Sequence, residues 1–268
     1  MERLEAIKES MRDRGRLAVL FSGGLDSTFL VWLAHEALGD EAKALTFRSP
    51  IIHEEDALEA RMLSDLIGID CEDLFIDELG ADPAFSLNPA DRCYLCRKIR
   101  DREARQWADK KGIEIIADGL NSSDFGDYRP GMRASREDGI WQPFVEFNFT
   151  KDEIRAYSRH VGLPTWDKPN TVCLCSRIPF GIEITGERLR RVEKAETFLK
   201  RLGFITCRAR YFPLETAVVE IDDMDRAMKH KGEIVTVLRD LGFQFVTLDL
   251  EGFASGKLNR TLHRGSDK

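Results

Sequence analysis

The chain has 268 residues, of which 43% are hydrophobic and 32% are charged, and its formal net charge at pH 7 is −7. This length predicts one large domain or two small ones. The negative charge argues against a general nucleic-acid binder, because neutralising phosphates needs a basic surface. No apolar run reaches the roughly 18 residues of a membrane span, and the charged first ten residues do not resemble a signal peptide. We therefore expect a cytoplasmic protein without a membrane partner.

Strands and helices are predicted to alternate through the first half of the chain. After an amphipathic helix over 1–13, apolar runs predict strands at Leu17–Phe21, Lys43–Phe47, Cys71–Ile76 and Ile113–Ala117. Helical patterns follow the first three strands, up to about 38, over 53–68 and over 94–111. This alternation is typical of an α/β fold with a doubly wound parallel sheet, which binds ligands at the carboxyl ends of its strands.

The second half of the chain is predicted to contain two long loops and a smaller α+β domain. The loops are 122–150 and 165–185, with a helix over 151–161 between them. A boundary near 184 divides the chain into a domain over 1–184 and a smaller domain over 185–268. The predicted elements of the smaller domain are a helix (187–202), strands (204–211 and 216–222), a helix (223–241) and a strand (243–250).

Residues Ser22–Ser27 read Ser-Gly-Gly-Leu-Asp-Ser and turn the chain from the first strand into a helix. Free amide groups and the helix dipole attract phosphate at such a turn, and Gly23 and Gly24 let the backbone approach it closely. Ser22 and Ser27 add hydroxyl donors, and Asp26 is a candidate ligand for Mg²⁺. The turn lacks the lysine of a Walker loop and the spacing of a dinucleotide-binding loop. It matches the PP-loop pattern of the ATP pyrophosphatases, which cleave ATP between its α- and β-phosphates; the alternative is an ordinary glycine-containing turn.

Four cysteines form two pairs in polar segments, Cys93 with Cys96 and Cys173 with Cys175. Three thiolates could hold an iron–sulfur cluster with one open iron, and four could close a structural zinc site. A thiol could also be a sulfur donor without metal, or the pairs could be reduced and structural. The neighbouring cations favour thiolates; they are Arg92, Arg97, Lys98 and Arg177. The other two cysteines, Cys71 and Cys207, lie in predicted strands and are expected in the core.

Several motifs together resemble those of one family, the LarE-type ATP-dependent sulfur transferases of the PP-loop superfamily. The resemblance covers nearly the whole chain. The matching stretches are Ser22–Ser27, Asn88–Cys96, Asp118–Asn121, Asp127–Gly131, Trp166–Pro169 and Cys173–Gly181.

The resemblance implies a reaction and its cofactors. The substrate is a pyridinium biscarboxylate mononucleotide, whose carboxylates are adenylated by ATP with Mg²⁺ and then converted to thiocarboxylates, in biosynthesis of the nickel-pincer nucleotide cofactor. Some members sacrifice the sulfur of their own cysteine, and others carry sulfide on a [4Fe–4S] cluster. The cysteines here favour the cluster type, with Cys93, Cys96 and Cys173 as ligands. Cys175 departs from the pattern of many relatives, so it is an alternative ligand or sulfur carrier.

Further candidate residues come from the strands and loops around these motifs. Asp124 is a second candidate for Mg²⁺. Arg208 and Arg210 alternate on one strand, so both project from one face and suit a substrate phosphate, unless that face is a solvated edge. The resemblance places Ser176 and Arg177, with Cys173 and Cys175, near the reacting carboxylate. Two carboxylates, Glu196 and Glu220, are candidate polar contacts, while the histidines show no ligand spacing.

Other functions remain open at this point. A PP-loop tRNA thiolase also combines adenylation with cysteine chemistry, but the acidic charge argues against it. An amide-forming PP-loop ligase needs no Cys-x-x-Cys pair, and a nucleotide-binding scaffold would bind ATP without cleaving it. The resemblance also implies a homo-oligomer, which no local sequence feature shows.

Overall fold

The structure is a computed structural model, which describes residues 2–126, 130–254 and 256–261. Its internal contacts divide the chain into two compact units. Unit 1 consists of Met1–Asp77 and Cys93–Thr171, and unit 2 consists of Glu78–Arg92 and Val172–Lys268. Each unit therefore combines segments from two parts of the sequence, whereas the sequence suggested two consecutive domains; that boundary near 184 stays a prediction.

Unit 1 is built on a four-stranded parallel sheet. Its strands are β1 (Leu17–Leu20), β2 (Ala42–Arg48), β3 (Asp70–Phe75) and β4 (Ile115–Ala117), in the order β3-β2-β1-β4. Val19 of β1 lies opposite Ala44 of β2 on one side and Ala117 of β4 on the other. The predicted parallel α/β sheet is thus confirmed.

Helices cover both faces of the sheet. Successive residues of β1 point to opposite faces, and on each face they pack in a hydrophobic core. Leu17 and Val19 join one hydrophobic core, whereas Ala18 and Leu20 join another. The helices of unit 1 are α1 (Glu2–Arg14), α2 (Leu25–Leu38), α3 (Glu54–Ile67), α6 (Arg92–Lys111, beginning at the unit boundary), α7 (Pro130–Glu137), α8 (Pro143–Glu146) and α9 (Lys151–His160). Residues of α2 and α9 pack in the first core and residues of α6 in the second.

The strand order creates a switch point beside β1. From β1 the chain moves to β2 and β3 on one side, and β4 then lies on the other side of β1. The loops that leave the carboxyl ends of β1 and β4 therefore emerge next to each other. Ligands of open α/β sheets bind at such a crevice.

Short helices occur in the segment 122–150, which was predicted as a loop, and in the segment 78–92. The stretch 78–92 contains α4 (Glu78–Ala81) and α5 (Pro83–Ser86), and 122–150 contains α7 and α8. Pro83, Pro130 and Pro143 each open a helix, where proline needs no amide hydrogen and its fixed φ suits the first turn. The prediction of a loop over 122–150 was therefore wrong where α7 and α8 lie.

Unit 2 contains a three-stranded sheet with helices against it. Its strands are β5 (Cys207–Phe212), β6 (Thr216–Ile221) and β7 (Phe245–Leu248), with β5 and β6 antiparallel and β6 and β7 parallel. The remaining helices are α10 (Gly186–Arg201), α11 (Met224–Lys229) and α12 (Lys231–Asp240). The single helix predicted over 223–241 is thus two helices that meet at His230. Across the described residues, no helix is both long and apolar enough to cross a membrane.

Candidate functional site

The PP-loop, Ser22–Ser27, lies at the carboxyl end of β1 and leads into α2. Gly23 has φ +68°, and a Cβ added to it would lie 3.1 Å from Ala60 of α3, so a larger residue would be both strained and crowded. Gly24 is the residue that precedes α2, and it supplies no side-chain cap to the first helical turn. Backbone amides at this helix start are therefore available to an anion.

The two PP-loop serines contact each other across the turn. The Oγ atoms of Ser22 and Ser27 are 3.1 Å apart, and the Ser22 amide donates to Ser27 Oγ at 3.3 Å. Ser27 Oγ also donates to the Gly24 carbonyl at 3.3 Å. These bonds fix the shape of the turn.

Asp26 lies in the first turn of α2, with a side chain 23% exposed. It accepts a hydrogen bond from Asn121 Nδ2 at 3.2 Å, and Lys151 Nζ lies 3.4 Å from its other oxygen. Burial raises the pKa of Asp26, an effect that Lys151 opposes and the nearby Asp124 carboxylate reinforces. Asp124 is buried and accepts from the Asn121 amide at 3.0 Å. Asn121 therefore contacts both candidate magnesium ligands.

Gly119, which follows β4, packs directly on the PP-loop. A Cβ built on Gly119 would lie 2.9 Å from the carbonyl carbon of Asp26 and from the amide nitrogen of Ser27. Only glycine lets the loop after β4 approach the first turn of α2 this closely. The sequence analysis identified Asp118–Asn121 as a stretch that matches the family, but it did not predict the contact of Gly119 with the PP-loop.

Two lysines near the PP-loop were not among the predicted site residues. Lys151 opens α9, whose start is fixed by the reciprocal hydrogen bonds of Thr150 and Glu153. Lys168 Nζ donates to the Gly23 carbonyl at 3.0 Å and lies 2.8 Å from a Glu59 oxygen. Lys168 belongs to the Trp166–Pro169 stretch, whose match to the family could have marked it as a site residue. No sequence feature marked Lys151.

Cys93 and Cys96 lie on the first turns of α6 in unit 1. Cys93 is exposed and Cys96 is partly exposed. Their spacing of three residues puts both side chains on one side of the helix. Residues 127–129 of the neighbouring matching stretch lie outside the described residues.

The cations expected to favour thiolates near these cysteines have other partners. Arg97 binds Asp101 and Asp118, and Lys98 lies 2.6 Å from Asp138 and 3.0 Å from Glu137. These carboxylates offset much of the positive charge that the sequence suggested.

The second cysteine pair lies in unit 2, at a 3-10 turn over Leu174–Arg177. Cys173 is partly exposed, whereas Cys175 is 1% exposed. Ser176 Oγ donates to the Cys173 carbonyl at 2.9 Å. The Arg177 guanidinium donates to the same carbonyl at 3.1 Å and to both Glu196 carboxylate oxygens, at 2.8 and 2.9 Å. Both members of this ion pair are buried, so the pair anchors the Cys173 turn to α10.

Asn88 fixes the segment of unit 2 that leads into α6. This residue is fully buried, and its Nδ2 donates to the carbonyls of Pro179 at 2.7 Å and Ile182 at 3.0 Å. Its Oδ1 accepts from Arg92, whose guanidinium also stacks 4.3 Å from the Phe180 ring centre. These contacts fix residues 88–92 against residues 179–182 within unit 2.

Arg208 and Arg210 share one face of β5 but differ in their partners. Arg210 binds Glu220 of β6 and donates to the Ser176 carbonyl at 2.8 Å. Arg208 donates to the carbonyl of Cys207 at 2.8 Å and stacks on Phe253. Among the described residues, no carboxylate lies within ion-pair distance of Arg208. Burial, followed by the proximity of Arg177, lowers the pKa of Arg208, as expected for a guanidinium that lacks a close counter-charge.

The remaining cysteines are buried. Cys71 is 5% and Cys207 is 2% exposed, and burial raises the pKa of both thiols, that of Cys207 to about 12. They stay protonated near neutral pH, which suits the core role that was expected. Over the described ranges, the structure contains no group of three or more histidine, cysteine or acidic residues arranged to hold a metal ion.

Comparisons with known proteins find relatives that match most of this chain. A family model described as asparagine synthase matches residues 4–85. The pyridinium-3,5-bisthiocarboxylic acid mononucleotide synthase of Lactiplantibacillus plantarum is 32% identical over 94% of this chain and 92% of its own length. An uncharacterized protein of Synechocystis is 38% identical over 97% of this chain and 98% of its own. A glutamine-hydrolyzing GMP synthase of Archaeoglobus fulgidus is 23% identical over 74% of this chain and 68% of its own.

Proposed function

Because this chain belongs to the family of LarE-type ATP-dependent sulfur transferases, within the PP-loop superfamily, we propose that it converts the carboxylates of a pyridinium biscarboxylate mononucleotide into thiocarboxylates. The enzyme uses ATP and transfers sulfur. The observation that carries the proposal is the uncapped PP-loop helix start, with Asp26, Asp124 and two lysines around it, in a chain 32% identical to a synthase of that product. The finer proposal is that adenylation precedes sulfur transfer and serves nickel-pincer cofactor biosynthesis.

Adenylation answers a chemical need of this substrate. A carboxylate repels nucleophiles and has oxide as its leaving group, whereas the acyl adenylate has AMP. The amides of α2 and the Ser22 and Ser27 hydroxyls would bind the phosphates that leave as pyrophosphate. Lys168, which already contacts the Gly23 carbonyl, adds a positive charge beside the turn. Stabilising the charge of the departing phosphates in this way lowers the barrier to AMP transfer.

Asp26 and Asp124 fit Mg²⁺, because hard carboxylate oxygens are its preferred protein ligands. The two side chains are held together through Asn121, and burial raises the pKa of Asp26, so a bound cation would favour its ionised form. When bound, Mg²⁺ would neutralise phosphate charge and orient the triphosphate. Lys151, 3.4 Å from Asp26, adds a positive charge next to these carboxylates.

Cys93, Cys96 and Cys173 are the proposed ligands of a [4Fe–4S] cluster. Thiolates are the usual ligands of iron–sulfur clusters, and Cys93 and Cys96 lie one helical turn apart. The burial of Cys175 favours Cys173 as the third ligand, since Cys173 is the more accessible of the two. When bound, the cluster would supply an open iron that carries the sulfide to be transferred. Ser176, Arg177 and Glu196 shape the Cys173 turn in this proposal, through the bonds described above.

Arg208 is the proposed principal contact of the substrate phosphate, since it has donors and no ion-pair partner among the described residues. Arg210 would support it from the same strand face, with its charge already balanced by Glu220. The proposal also includes a cytoplasmic location and assembly into a homo-oligomer, the latter to be measured by analytical ultracentrifugation.

The decisive experiment combines the anaerobically purified chain with MgATP and the biscarboxylate mononucleotide. We expect pyrophosphate release that depends on the mononucleotide and a product in which sulfur replaces oxygen, seen by mass spectrometry. About four irons per chain, together with acid-labile sulfide, in the purified protein would support the cluster. Zinc instead would indicate a structural site, and loss of sulfur from Cys173 after turnover would indicate a sacrificial cysteine. Absence of mononucleotide-dependent pyrophosphate release would overturn the proposal, and binding and thiolation of total tRNA would favour a tRNA thiolase.

A further inference from the structure

A chain of buried contacts joins the start of α6 to the PP-loop within unit 1. Arg97 follows Cys96 on α6, and its side chain is 23% exposed. Its NH2 donates to Asp118 Oδ2 at 2.7 Å, and its Nε donates to Asp101 Oδ2 at 2.9 Å. Asp101 and Asp118 are 2% and 4% exposed. One guanidinium therefore links the helix that carries two thiols to the residue that directly follows β4.

Asp118 is itself held on both sides. Its amide donates to the Trp141 carbonyl at 2.9 Å, and its Oδ1 accepts from the Leu120 amide at 3.2 Å. The next residue, Gly119, lies against the backbone of Asp26 and Ser27, where even a Cβ would approach to 2.9 Å. Asp118 is thus held directly beside the first turn of α2.

The role of this linkage follows from its charges. Arg97 faces two buried carboxylates, so its positive charge is already more than balanced and little remains for a phosphate or a thiolate. Its fork geometry, by contrast, is used directly, because Nε binds Asp101 while NH2 binds Asp118. The arrangement suits a residue that sets distances rather than one that supplies charge.

We propose that Arg97 and Asp118 are positioning residues that fix the Cys93 and Cys96 thiols at a set distance from the PP-loop, so that sulfur transfer keeps pace with adenylation. This inference rests on the proposed function. An acyl adenylate that waits for sulfur is lost to water, and a misplacement of about 1 Å can slow a positioned reaction by about a hundredfold. The linkage protects against that loss without touching the substrate.

The test separates adenylation from sulfur transfer in the complete protein. Arg97→Lys keeps the charge but replaces the fork with a single ammonium. We expect pyrophosphate release to stay within about twofold of the wild type, while thiolated product per pyrophosphate falls about tenfold or more. Asp118→Asn should give the same loss. Arg105→Lys is the matched control, since Arg105 lies two turns further along α6 and donates to the exposed Glu114 carbonyl. An unchanged product ratio, or an equal fall in product and pyrophosphate, overturns the proposal.

Amide hydrogen exchange gives a second readout that needs no substrate. Arg97→Lys should raise exchange about tenfold at Asp118, Leu120 and residues 96–100, and leave residues 104–110 of α6 unchanged. Equal acceleration throughout α6, or none at Leu120, would show that the linkage does not position these segments. If the wild-type chain makes no thiolated product, the proposed function fails, while the exchange result still decides whether the linkage exists.

Discussion

The PP-loop of unit 1 presents backbone amides to an anion, whereas most arginines predicted to act in unit 2 are already bound to carboxylates. Gly23, Gly24 and Gly119 shape the first site, and no counter-charge is needed to keep its amide groups in place. In unit 2, Arg177 and Arg210 are buried and require Glu196 and Glu220. A buried charge that loses its partner is costly, while a backbone donor carries no such risk. Substitutions should therefore impair mainly function in unit 1 and mainly stability in unit 2.

The largest effect should come from breaking a buried ion pair in unit 2. Glu196→Gln keeps the size of the side chain but leaves Arg177 without its counter-charge, so we expect the free energy of unfolding to fall by about 3 kcal/mol. Glu187→Gln on the same helix is the control, because Glu187 is 66% exposed in its pair with Arg191 and should cost less than about 1 kcal/mol. Urea denaturation measures both. Equal losses would remove the contrast between buried and exposed pairs.

The next effect should be on catalysis in unit 1. Asp26→Ala removes a carboxylate proposed to bind Mg²⁺, and we expect pyrophosphate formation to fall by about a hundredfold. Stability should be unchanged or higher, because burial raises the pKa of Asp26 and its ionised form is disfavoured in the folded protein. Asp65→Ala on α3 is the control, since Asp65 is 70% exposed. Pyrophosphate release at the wild-type rate in the Asp26 variant would remove Asp26 from the site.

A smaller effect should follow from crowding the PP-loop. Gly119→Ala places a methyl group against the backbone of Asp26 and Ser27, so the first turn of α2 must shift. We expect the Kd for ATP to rise about tenfold, as when about 1.4 kcal/mol of binding free energy is lost. Gly232→Ala is the matched control, because nothing lies within 4 Å of its added Cβ, and it should leave ATP binding unchanged. Calorimetry with ATP measures both variants, and equal affinities would contradict the packing argument.

The smallest effect should distinguish the two arginines of β5. Arg208→Gln should raise the KM for the mononucleotide about fivefold, equivalent to about 1 kcal/mol, with little loss of stability because no ion pair is broken. The KM for the corresponding nucleoside, which lacks the phosphate, should be the same in wild type and variant. Arg210→Gln should instead lower stability, because it leaves Glu220 buried without Arg210. If Arg208→Gln weakens both substrates equally, Arg208 does not contact the phosphate.

Much of the fold was predictable because it depends on local patterns. The apolar runs that predicted β1 to β4 are strands of one sheet, of which β1 is fully buried, and the segments between them have a helical period. The parallel sheet followed from this alternation. The short helices that begin at Pro83, Pro130 and Pro143 were not predicted, since proline occurs both in loops and at the first residue of a helix. The break at His230 was also missed, because the apolar pattern continues across it.

The candidate site was only partly predictable. Ser22–Ser27 was recognisable because a strand, a glycine turn and a helix are adjacent in sequence. Lys151, Lys168 and Gly119 were not assigned roles, since their contacts with the PP-loop come from segments about 90 to 150 residues away. The sequence also suggested free cations beside the cysteines, although Arg97 and Lys98 have acidic partners 20 to 40 residues away.

The sequence by itself determined the parallel α/β sheet, the phosphate-binding turn and, through its family, the use of ATP and sulfur transfer. These features arise from residues close together along the chain, whose periodicity and glycine placement restrict the backbone directly. Only the tertiary structure decided which charges are neutralised, which cysteine of the second pair is accessible, and which residues join α6 to the PP-loop. Such properties depend on burial and on partners distant in sequence, which no local pattern records.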